Sequence, residues 1–480
     1  MATVVTNLGS NTSIDTETAS TCSPSYGSGP WTVTFNTNPT GVSVGDVAEI
    51  EDDYSVMAIY TYLITAIDTS GPNHNYTLKY MSDDGDNGDT SPCNLMTMGG
   101  GFSPSLAPAT FKRAYSTISG WESDLDNDNI YSSGDTAKGE CYKDSAFSMT
   151  GELSINGGDS LSVGSLAHTI LTVAESQRHD GTADTGAKVN LSTGGRIKTW
   201  YQDAYIHRTI EWLEFDGGDS DQSFGSNWRI VDLSTGSTTG HVGTAAHLLI
   251  HGCHNTVVGD GNGYGVIGAG SQYSYIHNNI IYDCSGRLRT PGILGANNGI
   301  VCNNTVHKIG MTYTSYAGDG SREAIGIVCV AGCVYKNNIA VGTYFADDGH
   351  DHEKYDYLTT GTGTVGTYNI SGDSTASGSN SFTGKTADSL FVSTTSGSED
   401  LHLKDESAAL AAGDDLGTGF TVGSDSSAGS STYGTAINVD IDGRDRDAEG
   451  DTWDIGADQC HTCSAGGDDT TNVAFMLFFD

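Results

Sequence analysis

Leu249-Ile250-His251-Gly252-Cys253-His254-Asn255-Thr256-Val257-Val258, Tyr275-Ile276-His277-Asn278-Asn279-Ile280-Ile281-Tyr282, Ile300-Val301-Cys302-Asn303-Asn304-Thr305-Val306-His307 and Val334-Tyr335-Lys336-Asn337-Asn338-Ile339-Ala340-Val341 read as copies of one another. Aligned on Asn255, Asn279, Asn304 and Asn338 they recur at spacings of 24, 25 and 34 residues, within the period at which one supersecondary unit stacks on its neighbour. Each copy alternates apolar and polar residues around an Asn and is rich in β-branched side chains, which predicts a strand. Asn at an equivalent bend of successive turns can pass its amide to the next and form a hydrogen-bonded ladder. A solenoid of stacked strands follows.

Composition agrees. The chain has 480 residues with 64 Gly and only 8 Pro, and 36% of it is hydrophobic. Many short strands joined by tight Gly and Asn/Asp turns are expected, an all-β protein. A net charge of -39, from 60 acidic against 21 basic residues, disfavours nonspecific attraction to nucleic acid or anionic lipid, because the electrostatic term is repulsive. The N-terminal Met1-Ala2-Thr3-Val4-Val5-Thr6-Asn7 has neither the basic nor the apolar region of a secretory signal. The longest apolar run, residues 473–479, is too short to span a bilayer. Synthesis in the cytoplasm without a signal peptide and without membrane insertion is the expectation.

Along the chain, alternating runs at 42–50, 58–64 and 76–80 predict a small antiparallel barrel or sandwich. With the turn-rich stretch 81–105 it forms an N-terminal attachment module and linker, residues 1–105. In Ser116-Thr117-Ile118-Ser119-Gly120-Trp121-Glu122-Ser123-Asp124-Leu125 a Ser cap and the spacing of Ile118, Trp121 and Leu125 predict one short amphipathic helix. It is the candidate cap for the open end of the solenoid. Strands are expected at 151–155, 169–173, 209–215 and 228–233, and the pattern weakens beyond about 344. The solenoid spans 106–460, and 461–480 is a tail with an apolar terminal strand. Five cysteines, Cys253, Cys284, Cys302, Cys329 and Cys333, sit in or beside the repeats as small hydrophobes. Cys460-His461-Thr462-Cys463 has no second pair to make a zinc site, so a terminal disulfide or two idle thiols is expected.

Leu390-Phe391-Val392, Asp400-Leu401-His402-Leu403, Ser407-Ala408-Ala409, Asp440-Ile441-Asp442-Gly443 and Asp454-Ile455-Gly456-Ala457, in that order, resemble the closing coils of right-handed parallel β-helix proteins of the pectin-lyase-like superfamily. Tyr115-Ser116-Thr117-Ile118, Trp121-Glu122 and Gly139-Glu140-Cys141-Tyr142 are similar to the first coil of β-helix proteins of phage and environmental viruses. The resemblance covers roughly 110–460 and implies the fold rather than an activity. Pectate-lyase-like enzymes carry Arg-x-Pro-x-x-Arg; Arg289-Thr290-Pro291 matches its start, with Leu294 in place of the second Arg. Arg196-Ile197-Lys198, Asp347-Asp348 and Gly349-His350 echo pieces of a polygalacturonase-like set, in the wrong order and without its Asn-Thr-Asp piece.

Several side-chain groups could carry chemistry. Asp319, Glu323, Asp347 and Asp348 are the candidate catalytic carboxylates of a glycan-cleaving enzyme. Asp347, Asp348, His350 and His352 form the densest metal-capable run. Asp124, Asp126 and Asp128 alternate, with Asp135 at a calcium loop's twelfth place, making calcium the candidate cofactor, although Asn129 replaces the usual Gly. Tyr313, Tyr316, Tyr344 and Tyr355 in polar surroundings are candidate ligand-binding residues, since Tyr stacks on sugar faces. No catalytic set is complete. The reading is a noncatalytic structural or receptor-binding protein of an extracellular particle or filament, such as a phage fibre, decoration or tailspike-like subunit. Its expected partners are a cell-surface glycan and copies of itself or virion neighbours. The alternative is a polysaccharide-cleaving lyase or glycoside hydrolase.

Overall fold

The computed structural model describes residues 2–10, 12–23, 30–35, 37–51, 59–70, 74–83, 108–162, 164–192, 194–199, 206–222, 229–233, 242–255, 265–270, 273–286, 289–312, 323–345, 353–422, 425–447 and 452–463. The chain is nearly all β with long parallel sheets, and it divides into two compact units, residues 1–178, 186–215 and 233–244 in the first and 179–185, 216–232 and 245–480 in the second.

In the second unit successive strands enter three sheets in rotation, with the two-residue strand Tyr344–Phe345 added to the third sheet directly after Ile339–Val341. One sheet holds Ile267–Ala269, Thr290–Leu294, Glu323–Cys329 and Glu353–Thr359. The next holds Ser274–His277, Ile300–Cys302, Val334–Lys336 and Val365–Thr367. The third holds Leu249–Asn255, Ile280–Gly286, Thr305–Met311, Ile339–Val341 and Ile370–Ser371. All pair in parallel, and like residues stack: Ile280, Thr305, Ile339 and Ile370 share one register. Ile281, Val306 and Ala340 follow one place on, all buried. Parallel sheets buried this way need near-continuous apolar runs, which the repeats supply.

The Asn repeat marks the bend between the second and third sheets. Asn279 Nδ2 donates to Asn304 Oδ1 at 2.9 Å, Asn304 Nδ2 to Asn338 Oδ1 at 3.0 Å, and Asn338 Nδ2 to Asn369 Oδ1 at 3.0 Å. All four are buried. The residue before each, Asn278, Asn303 or Asn337, sits at φ of 54°, 53° or 56°, the left-handed region that Asn tolerates. That explains the Asn-Asn doublet. Asn255, included in the repeat by sequence, is not a rung: it ends the strand Leu249–Asn255. Leu248 holds the equivalent place, its backbone N–H donating to Asn279 Oδ1 at 2.9 Å, after His247 at φ 52°. The pattern also persists beyond 344, with Tyr368 in the left-handed position and Asn369 on the ladder.

The chain after Asn369 runs back over this stack. Leu390, Phe391, Leu401, Leu403, Ile441, Ile455 and Ala457 form one buried cluster with Leu249, Ile280, Ile339 and Ile370. Asn278 and Asn303 both donate to the Ile437 carbonyl, at 3.0 and 3.1 Å, and Asn337 exchanges hydrogen bonds with the Asp414 backbone at 2.8 Å each way.

In the first unit, six strands, Asp15–Ser23, Trp31–Phe35, His74–Asp83, Ile59–Asp68, Asp46–Glu51 and Pro108–Arg113, close an antiparallel barrel in that order. Its core is aromatic: Trp31, Phe35, Tyr60, Tyr62, Tyr76 and Phe111 are all buried. The runs at 42–50, 58–64 and 76–80 predict a barrel or a sandwich; the closed barrel also takes in Asp15–Ser23, Trp31–Phe35 and Pro108–Arg113. The strand Thr3–Leu8, assigned by sequence to the N-terminal module, lies before the barrel strands and pairs in parallel with Thr136–Cys141, which in turn pairs with His168–Val173. The helix is Ile118–Ser123, capped by Thr117 rather than Ser116, with Oγ1 accepting from Gly120 N at 3.0 Å. Trp121 is wholly buried, and its ring lies where a side chain on Gly139 would project. The single strand expected at 209–215 is broken at Trp212, whose φ is 64°.

Cys460 and Cys463 form a disulfide, and Cys141, Cys253, Cys284, Cys302, Cys329 and Cys333 are free and buried. Among the described residues no helix is long and apolar enough to cross a membrane.

Candidate functional site

Of the side chains singled out by sequence, Asp319, Asp347, Asp348, His350, His352, Tyr313 and Tyr316 lie outside the described residues, as does the apolar stretch 473–479. Glu323 opens a strand and forms an ion pair with Arg289, Oε2 to Nε at 2.8 Å. Tyr355 stacks in register with Ile325 on the same sheet. Its neighbour Tyr357 is a core residue, its hydroxyl donating to the Asn338 carbonyl at 2.7 Å.

The proposed calcium loop does not converge. Asp124 accepts from the Tyr115 hydroxyl at 2.9 Å, Asp126 from Gly158 N and Ser160 N at 2.8 and 2.9 Å, Asp128 from Ser162 N at 3.0 Å, and Asp135 from Ala2 N at 2.9 Å. Each carboxylate satisfies a different donor, mostly backbone N–H groups of turns. The alternation seen in the sequence therefore serves loop geometry.

Two histidine–carboxylate groups, both in the second unit, come together instead. The first lies on the third sheet. Its strands, which also include Glu214–Gln222, are bent at Asp219, Gly252, Asp283, Lys308 and Gly342, all with positive φ. Past the bend, His254 is in register with Ser285, and its Nδ1 lies 2.8 Å from Ser285 Oγ. Asp219, His254 and Asp283 place one ligand atom each within 4.8 Å of one another. Tyr344 folds over Gly310 of the same sheet, where a side chain on the glycine would meet its ring. Burial, and then the nearby Asp283 charge, raises the Tyr344 phenol above its ordinary pKa. On the other side of the bend, the His251 and Tyr282 rings stack 5.2 Å apart with 8° between their planes. Tyr344 is the expected ligand-binding residue that this arrangement includes.

The second group is built by the returning chain. The His402 ring spans two carboxylates, Nδ1 to Asp400 Oδ1 at 2.6 Å and Nε2 to Asp442 Oδ1 at 3.1 Å. Asp458, buried, accepts from Leu403 N at 2.7 Å and shares the His402–Asp442 cluster. Burial alone would depress the imidazole, but hydrogen bonding to Asp442, the Asp458 charge and Asp400 outweigh it and raise its pKa to about 10. Asp440, fully buried, positions this loop through Oδ1, which accepts from Asp442 N at 3.0 Å and Arg444 N at 2.7 Å. Its carboxyl is raised to about 6 by burial, opposed by Arg446 and reinforced by Asp442 and Asp458. Sequence reasoning quoted Asp400, His402, Asp440 and Asp442 as part of a fold signature and missed that Asp400, Asp442 and Asp458 converge on His402.

Comparison with known protein families, with curated proteins and with solved structures finds no match for this chain.

Proposed function

We propose that the chain is a right-handed parallel β-helix of the pectin-lyase-like kind that serves as a noncatalytic structural and receptor-binding subunit of an extracellular particle or filament, as in a phage fibre or tailspike. The rotation of strands through three parallel sheets and the buried Asn ladder support the fold. The observation that carries the function is the polar row set on that stack: Asp219, His254, Asp283, Ser285 and Tyr344 present carboxylate, imidazole, hydroxyl and aromatic groups from strands held in fixed register. Such a set matches the hydroxyls and apolar faces of a sugar chain. The engagement of Glu323 by Arg289 weighs against the hydrolase alternative, in which that carboxyl would have to be available to the glycosidic oxygen. The strong negative charge favours a neutral or basic glycan as ligand.

The test is a glycan-binding screen with the full chain, with polygalacturonate and neutral polysaccharides also assayed for cleavage. Binding that is weakened at least about tenfold in Asp283→Ala with His254→Ala, without product formation, supports this reading. Robust turnover would assign the chain to the enzyme alternative.

A further inference from the structure

We infer that His402, Asp442 and Asp458 form a binding site for one divalent first-row transition ion, with Asp400 as the carboxylate that orients the imidazole. The three prospective ligands offer one nitrogen and two carboxylate oxygens within 4.8 Å of one another. The 3.1 Å between His402 Nε2 and Asp442 Oδ1 is close to the separation of two ligands that each lie roughly 2.0 to 2.2 Å from a shared ion. Asp400 holds Nδ1 at 2.6 Å, which fixes the ring so that Nε2 faces Asp442, the carboxylate–histidine arrangement that orients metal-bound imidazoles.

Two further observations point to a ligand at this place. Asp440 sits on the loop that carries Asp442, is 0% exposed, and its Oδ2 accepts no hydrogen bond from the described residues; the Arg446 charge opposes its own without hydrogen-bonding it, and His461 Nε2 lies 3.8 Å away. A buried carboxylate oxygen in that condition is costly unless a cation compensates it. Space beside the imidazole is also kept open: a side chain on Gly181 would come within 2.9 Å of His402 Nε2. The mixed nitrogen and oxygen donor set suits Zn2+, Mn2+ or Co2+ better than Ca2+, which takes oxygen ligands throughout. An ion here would tie the strand Asp400–Leu403 to the loops bearing Asp442 and Asp458, closing the returning chain on itself.

The experiment uses the full chain carrying His254→Ala, which removes one competing histidine–carboxylate group; the position of the bound ion separates this site from the His251–Asp216 pair. Chelator-treated protein is titrated with Zn2+ by calorimetry at pH 8, and crystals of the loaded protein are measured at the zinc absorption edge. The expected result is one equivalent bound, an anomalous peak between His402 Nε2, Asp442 and Asp458, a raised thermal midpoint, and at least about tenfold weaker binding in Asp442→Asn. Absence of a peak there at saturating Zn2+, or a peak only at another place, overturns the proposal. Should Asp442→Asn fail to fold, the anomalous map of the His254→Ala protein decides alone.

Discussion

The side-chain amide of Asn304 donates to Oδ1 of Asn338 at 3.0 Å, with both residues fully buried. Asn304 is an interior rung: its own Oδ1 also accepts from the backbone N–H and the amide of Asn279, at 3.1 and 2.9 Å. Replacing it by Leu leaves these donors, and the carbonyls of Ile276 and Cys302 that it serves, without their partner in a dry interior. A loss of about 2 to 4 kcal/mol is expected. Asn279→Leu should cost less, about 1 to 3 kcal/mol, because Leu248 already occupies the equivalent place one turn earlier. Equal losses in urea denaturation would show that the ladder does not act as a connected row.

Gly139 and Gly310 give a paired prediction. A methyl on Gly139 would lie 2.8 Å from the ring of Trp121, which is buried and anchored in the helix Ile118–Ser123. The ring has no room to retreat, so Gly139→Ala should destabilise by about 1 to 3 kcal/mol. A methyl on Gly310 would lie even closer, 2.1 Å from the ring of Tyr344. Tyr344 is only partly buried and can turn away. Gly310→Ala should therefore leave the melting temperature within about 2 °C of wild type while displacing Tyr344 and weakening glycan binding. A reversed order of the two melting temperatures would contradict this account.

What the sequence disclosed and what it hid follow from how local each signal is. Asn279, Asn304 and Asn338 announce themselves because each turn repeats the same doublet and apolar flank. The register slipped at Asn255 because the equivalent place is held by Leu248 rather than an Asn, and alignment settled on the nearest Asn. Asn369 escaped because Tyr368 fills the left-handed place where Asn stands in three other turns. The barrel was visible in three alternating runs, whereas its closure by Asp15–Ser23, Trp31–Phe35 and Pro108–Arg113 is a long-range fact. The same holds for the His402 group. Asp400 is a near neighbour, but Asp442 and Asp458 are 40 and 56 positions away in the sequence, and only the fold of the returning chain brings them to the imidazole.

That returning chain is locked by Arg446. Its side chain is wholly buried and donates to the Gly456 and Ala457 carbonyls at 2.9 and 2.7 Å, with the Trp453 ring 5.6 Å away. Lys cannot reproduce a planar fork that reaches two carbonyls at once. Arg446→Lys should cost about 2 to 4 kcal/mol, and Arg446→Met, which leaves Asp440 and the carbonyls unmatched, about 3 to 5 kcal/mol. Proteolysis should then cut first within the chain that follows Asn369, since the ladder rungs keep their own hydrogen bonds. Initial cleavage in the strands 274–311 would sink this prediction.

Acid should loosen the stack through histidines that the fold keeps neutral. Burial lowers His277 to about 3, His168 to about 3 with help from His207 and Arg208, and His307 to about 4 against the opposing pull of the Val341 carbonyl and the acidic Glu399 and Asp388, with Lys308 adding to the depression. A histidine depressed below the ordinary value near 6.5 binds its proton more readily unfolded than folded. Its contribution to stability is therefore complete above pH 6.5 and is lost as the pH falls toward 3 to 4. Buried carboxyls act in the opposite sense: Asp440, raised to about 6, favours the folded state as it gains a proton. The slope of stability against pH for the wild type sums both effects, so the informative quantity is a difference. His277→Gln removes one neutral imidazole and leaves Asp440 in place. Between pH 5.5 and 4.5 the variant should lose about 1.4 kcal/mol less stability than the wild type per pH unit, measured by guanidinium denaturation at each pH. Parallel pH profiles for the two proteins would mean that His277 is protonated in the folded state, and the neutral-core reading would fail.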